Sequence, residues 1–198
     1  MKKNFVLMLT AFCALSLSSH SQIKSGLVVG AGLGNIRANI NTATLKNTNF
    51  REINGRSNVS VGYRFRFLSL TDSPLFFDLD ANAGLKFWHS AYRRSYREPA
   101  IYEASSKYYF VSLNGMAAYP LYKGLHIGAG VEPTYYFRQE GESSKNAFDI
   151  PLVGRIAYDF KLFEVGLSYK HGLMNVIKTD RISSGKFRDW RLSVWIPF

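Results

Sequence analysis

Few side chains in this sequence could do chemistry, and their spacing argues against a catalytic centre. His89 and Ser90 pair the residue types of a general base and a nucleophile, the minimum for a lipid hydrolase. On an extended chain adjacent residues point to opposite faces, so the two are poorly set to share a proton. His126 and Glu132 share a parity but stand six residues apart, roughly 20 Å at strand rise. The four histidines show no metal-ligand spacing. Gly30–Gly34 (GAGLG) has the outline of a nucleotide loop but lacks the helix that a phosphate cradle needs. The single cysteine, Cys13, falls in the first apolar run, where Phe12 before it argues against lipidation. The expectation is a non-enzymatic protein with no catalytic residues, no metal and no cofactor.

The larger constellation is ionic. Arg64, Arg66, Lys86, Arg138, Arg155, Lys170 and Arg191 fall on one parity of alternating segments, together with Asp78, Asp80, Glu132, Asp149, Asp159, Glu164 and Asp189. Seven cations and seven anions on one face suit an enclosed space, because an unpaired buried charge costs several kcal/mol. Gly30, Gly32, Gly62, Gly84, Gly128, Gly130 and Gly166 share that face and leave room for long side chains.

The elements that must hold these ions are β-strands. From Leu27 onward the apolar residues recur with period two. Phe148, Ile150, Leu152, Ile156, Tyr158 and Phe160 alternate with Asp149, Arg155 and Asp159. Strands are predicted over 26–36, 58–67, 77–89, 108–119, 125–138, 148–160, 163–170 and 189–198. Each is long enough to cross a bilayer at a tilt. Long connections at 38–57, 90–107, 139–147 and 175–187 alternate with short ones at 68–76, 120–124 and 161–162, the pattern of a transmembrane barrel.

Alternation alone also fits a soluble eight-stranded barrel. About forty large apolar side chains would overfill so narrow a lumen, so they are assigned to the outside. Aromatics near the strand ends and aliphatics between them read as two interfacial girdles around a lipid-facing band. The fold class is thus all-β, an eight-stranded antiparallel up-and-down transmembrane β-barrel. Such a lumen leaves no open channel, which disfavours a diffusion porin.

Residues 1–21 have a basic start at Lys2-Lys3, an apolar run from Phe5 to Leu17 and small residues at Ser19 and Ser21. This is the layout of a secretory signal peptide, with cleavage expected between Ser21 and Gln22 and the barrel domain over 22–198. The net charge of +11 falls mainly in the long connections. Arg93, Arg94, Arg97, Lys107, Lys178, Arg181 and Lys186 make a basic external rim. Outer-membrane lipids, lipopolysaccharide phosphates among them, are the expected partner, and nucleic acid is not.

Three segments carry a family resemblance. They are Tyr169-Lys170-His171-Gly172-Leu173, the terminal WRLSVWIPF ending in Phe198, and FDIPLVGRIAYDF around Ile150-Pro151-Leu152. Together with the whole pattern of the chain they resemble the PorT-like family of small outer-membrane β-barrels, related in architecture to OmpA and OmpX barrels. The resemblance implies location in the outer membrane and, for some members, a role in protein secretion. Trp190, Leu192, Val194, Ile196 and Phe198 resemble the signal read by the barrel-assembly machinery. Pro197 departs from that pattern, since it offers no N–H to a strand ladder. The expected function is a barrel with a charge-paired, plugged lumen whose basic loops contact lipopolysaccharide or a partner protein. The alternatives are a component of a secretion or assembly system and, less favoured, an enzyme that modifies lipid A.

Overall fold

The computed structural model describes residues 23–40, 53–68, 74–93, 101–139, 147–176 and 182–198. The expected signal peptide lies outside the described residues, as do Arg94, Arg97, Lys178 and Arg181. So do the side chains, though not the backbone, of Arg37, His89, Ser90, Arg93 and Arg138.

Among the described residues ten strands form one antiparallel sheet: β1 (Ile23–Ile40), β2 (Ile53–Leu68), β3 (Phe76–Arg93), β4 (Ile101–Tyr122), β5 (Leu125–Val131), β6 (Thr134–Gln139), β7 (Ala147–Asp149), β8 (Leu152–Asp159), β9 (Glu164–His171) and β10 (Ile182–Pro197). β1 pairs with both β2 and β10, and the ladder runs on through β9, β8, β5 and β4. The β3–β4 pairing closes the ring. β5 and β6 both pair with β4 in one register, and β8 and β7 continue them on the far side. Each of these pairs is a single crossing, so the barrel has eight strands in the transmembrane sense.

The two interruptions have one cause. Pro133 and Pro151 lack the N–H that a central ladder needs. The chain repairs the gap locally. Glu132 N–H donates to the Pro151 carbonyl at 3.0 Å and Leu113 N–H to the Pro133 carbonyl at 3.1 Å. The Glu132 carbonyl, deprived of the Pro151 donor, accepts from Thr134 Oγ1 at 2.8 Å.

The faces separate by polarity. Asp80 is 0% exposed, while Leu192, on the opposite face of the wall, is 53% exposed. Arg64, Asp78, Glu132, Asp149 and Glu164 are buried in the lumen. Val29, Val61, Leu79, Leu113, Ile127, Ile156 and Leu167 stand outside, flanked by Phe77, Tyr119 and Tyr158 toward the short turns and Phe87, Tyr109 and Trp190 toward the long connections. Gly30 marks how tightly the interior is filled: an added Cβ would lie 2.9 Å from Ser60 Oγ and 3.1 Å from Arg191 Cδ.

Five strands are longer than the alternation predicts. β1, β2, β3, β4 and β10 extend past the apolar band on the long-connection side, reaching Ile40, Ile53, Arg93, Ile101 and Ile182. Arg93, Lys107 and Lys186, expected in loops, therefore belong to β3, β4 and β10. Just beyond the band Asn35, Ser57, Lys107 and Lys186 take over the outward parity, so the period-two signal stops while the hydrogen-bond ladder continues.

Candidate functional site

The lumen holds three layers of side chains. Nearest the short turns, β2 and β3 set two arginines directly opposite two aspartates, Arg64 with Asp80 and Arg66 with Asp78. Both pairs are fork-to-carboxylate. Arg64 Nε and Nη2 donate to Asp80 at 2.6 and 3.0 Å, and Arg66 Nε and Nη2 donate to Asp78 at 2.7 and 2.9 Å. Glu164 of β9 bridges them, accepting from Arg64 Nη1 at 2.8 Å and Arg66 Nη2 at 2.6 Å. Arg155 of β8 donates to Asp78 and lies 3.6 Å from Asp80 Oδ2, while Asn114 donates to Asp80 at 3.0 Å. Three cations meet three carboxylates here, each geometry bidentate or shared, as desolvated pairs require.

Aromatic rings pack at this end. The Arg66 guanidinium lies 4.4 Å from the Phe76 ring centroid and 4.3 Å from that of Trp195. Phe76 meets His126 edge-on at 5.1 Å, and His126 Nε2 stands 3.3 Å from Glu164 Oε2. Both Glu164 oxygens are already held by Arg64 and Arg66. His126 thus joins Glu164 rather than Glu132.

The middle layer centres on Glu132. It pairs with Lys170, lies 3.8 Å from Arg191 Nη2, and accepts from Ser112 Oγ at 2.8 Å. At the long-connection end, Lys86 Nζ donates to Asp189 Oδ2 at 2.8 Å and to the Tyr136 hydroxyl at 3.0 Å. Its ammonium lies 5.4, 4.9 and 4.9 Å from the ring centroids of Phe110, Tyr136 and Phe187, a cation–π cage. Those three rings and Tyr108 form an aromatic cluster across the lumen.

Twelve of the fourteen ionic residues read from the sequence are thus buried inside: six cations, Arg64, Arg66, Lys86, Arg155, Lys170 and Arg191, and six acids, Asp78, Asp80, Glu132, Asp149, Glu164 and Asp189. Two roles need correction. Asp159 is half-buried at the end of β8, and its carboxylate accepts the Lys161 N–H at 2.7 Å, so it ties a turn instead of joining the lumen network. Asp149 is buried, but the partners of its Oδ1 are backbone amides: Ile150, Leu173 and Met174 at 2.9, 3.1 and 2.9 Å. Arg138 sits opposite Tyr108 in the register. The aromatic clusters inside the barrel were missed. Their signal was the aromatic runs Tyr108-Tyr109-Phe110 and Tyr135-Tyr136-Phe137, where both parities are aromatic and alternation fails.

Among the described residues no group of three or more His, Cys, Asp or Glu is arranged to hold a metal ion. GAGLG lies inside β1, between β2 and β10.

No protein-family model and no curated protein matches the chain. In fold it is similar to Neisserial surface protein A, at 10% identity and TM-score 0.48, over 91% of this chain and 100% of that one. It is also similar to Ail, the attachment invasion locus protein of Yersinia pestis, solved with the heparin analogue sucrose octasulfate, at 11% identity and TM-score 0.45, over 89% and 99%. A third likeness is to the translocator domain of autotransporter NalP from Neisseria meningitidis, at 10% identity and TM-score 0.34, over 98% and 96%.

The outer face carries its own charges. Above the apolar band, the register of β1 and β10 puts Arg37, whose side chain lies outside the described ones, opposite Lys186, with Arg188 opposite Asn35. His171 faces Arg188 across β9 and β10. Like charges directly opposite on a sheet are destabilising. Arg188 Nε is buried and meets no hydrogen-bond acceptor among the described residues. Lys107 is exposed at the same edge of β4, opposite Phe87.

Proposed function

We propose that the chain is an integral outer-membrane β-barrel without catalytic activity, whose lumen is a structural plug and whose cationic outer edge binds the phosphates of lipopolysaccharide. The observation that carries this reading is the segregation of charge. Inside, among the described residues, six buried cations match six buried acids. Outside, just above a continuous apolar band, Lys186 and Arg188 stand on β10, and the register puts Arg37 of β1 opposite Lys186. An exposed apolar surface encircling a whole molecule has no stable place in water, which supports a lipid surround. A phosphate held by Lys186 and Arg188 makes charge-assisted hydrogen bonds and supplies the acceptor that Arg188 Nε lacks among the described residues.

The test is binding of lipopolysaccharide to refolded protein carrying Lys186→Glu and Arg188→Glu. Affinity should fall about tenfold or more per lost bond, with weaker salt dependence. Unchanged binding removes the basis for this site, and the loop variant Arg93→Glu/Arg94→Glu/Arg97→Glu then asks whether the external loop carries the contact instead.

A second reading, a component of a secretion or assembly system, draws on the likeness of the last hairpin to the PorT-like family. Crosslinking in intact cells should then recover secretion-machinery proteins, and their absence would remove its support. In either reading Trp190, Leu192, Val194, Ile196 and Phe198 serve recognition by the barrel-assembly machinery. An export defect on Phe198→Ala tests that role.

A further inference from the structure

Two turns at the opposite end of the barrel carry a surface that none of these roles uses. β5 lies against β8, so the β4–β5 turn and the β8–β9 turn are neighbours. Asp159 N–H donates to the Gly124 carbonyl at 2.9 Å, locking them side by side. Turns in water carry polar residues. These present Tyr122 at 66% exposure and Leu162 at 80%. Phe160 and Phe163 are also exposed and stack at 5.0 Å with their planes 20° apart. The apolar outer wall thus does not stop where the strands end but runs on through both turns.

Each turn also places a lysine where the backbone favours glycine or asparagine. Lys123 has φ +29° and Lys161 has φ +72°, both in the left-handed region. Both lysines are exposed. Lys123 Nζ sits 5.2 Å from the Tyr122 ring centroid. The carboxylate beside them, Asp159, is engaged by the Lys161 N–H. Aromatic and aliphatic tips with cations at their margin match a membrane interface, where lysine stems lie along apolar surface and the ammonium reaches the headgroups.

We propose that these two turns form one anchor that inserts into the inner leaflet of the outer membrane and binds acidic phospholipid headgroups through Lys123 and Lys161. The inference rests on the membrane reading above. Lipid is favoured over a protein partner because the surface is continuous with the apolar wall.

The test uses the full chain in a Cys13→Ser background, with a nitroxide on Leu162→Cys or, as reference, on Val29→Cys in the band. Folding is checked by heat-modifiable migration on gels. Samples are reconstituted in vesicles of phosphatidylcholine alone or mixed with phosphatidylglycerol, and collisions with oxygen and with a water-soluble nickel chelate are compared. At Leu162 the oxygen-to-nickel ratio should be several-fold above that of free spin label. Adding Lys123→Gln and Lys161→Gln should lower it in the mixed vesicles and not in phosphatidylcholine. Equal shifts in both vesicles overturn the headgroup contact. An aqueous ratio at Leu162 with an apolar one at Val29 overturns the anchor and leaves the membrane reading standing. If Leu162 is aqueous in vesicles yet shielded in intact envelopes, the turns meet a protein and the proposal fails. An aqueous ratio at Val29 brings down the membrane reading itself.

Discussion

Replacing Arg64 by Met isolates the cost of disturbing the lumen network. The Arg64 side chain is 1% exposed and holds Asp80 through two nitrogens and Glu164 through a third. Without it, Arg66 and Arg155 face Asp78, Asp80 and Glu164, leaving one excess negative charge among buried groups. Removing one member of a buried pair costs about 3–5 kcal/mol. Here the orphaned groups keep partners, Asp80 through Asn114 at 3.0 Å and Glu164 through Arg66 at 2.6 Å. The loss should therefore fall near the lower bound, about 3 kcal/mol. The double variant Arg64→Met/Asp80→Leu restores neutrality and should recover about 2 kcal/mol of that loss, since a buried pair replaced by apolar groups is often nearly neutral. Urea unfolding in detergent or vesicles measures both. Trp195, 5.5 Å from the Arg64 guanidinium, provides a local fluorescence reporter. If the two substitutions add within about 0.5 kcal/mol, Arg64 and Asp80 are not coupled and the lumen is wet enough to screen them.

Three further outcomes follow from the same geometry. Val29→Arg places a charge on the outward face beside Val61 and Val194, and should cost about 2–4 kcal/mol in vesicles; an effect near zero would mean that face meets water. Asp149→Ala removes the acceptor for the amides of Leu173 and Met174, costing about 1–3 kcal/mol; cleavage near 172–176 by an added protease should rise, and an unchanged digest counts against the clamp. Planar bilayers containing the protein should stay at baseline current, whereas Phe110→Ala/Phe187→Ala should admit ions by thinning the ring cluster around Lys86; a steady current from the unmodified protein would refute a closed lumen.

How much of this was legible depended on whether a residue's environment is set by parity alone. Arg64, Asp80 and Glu164 were assigned inward from alternation, because a strand side chain must take one face or the other. Their mutual pairing needed the register between distant strands, which no local pattern encodes. Asp159 had the inward parity but sits at a strand end, where its carboxylate turned to a nearer donor, the Lys161 amide. Asp149 found backbone donors supplied by the segment after β9, over twenty residues away. The extra length of β3 and β4 escaped notice because residues such as Ser90, Glu103 and Ser105 lack the apolar contrast on which strand reading relies.

The span of the lumen's ion pairs constrains how the protein is made. Arg64 and Glu164 are 100 residues apart, Lys86 and Asp189 are 103 apart, and Arg191 reaches Ser60 across 131. None of these partners can meet until the last hairpin has come round to the first. A half-built wall spread in hydrocarbon would present bare guanidinium and carboxylate groups to acyl chains, at a cost of several kcal/mol each. Entry into the bilayer and cyclisation of the sheet must therefore occur as one cooperative event, and partly inserted species should be sparse in any refolding time course.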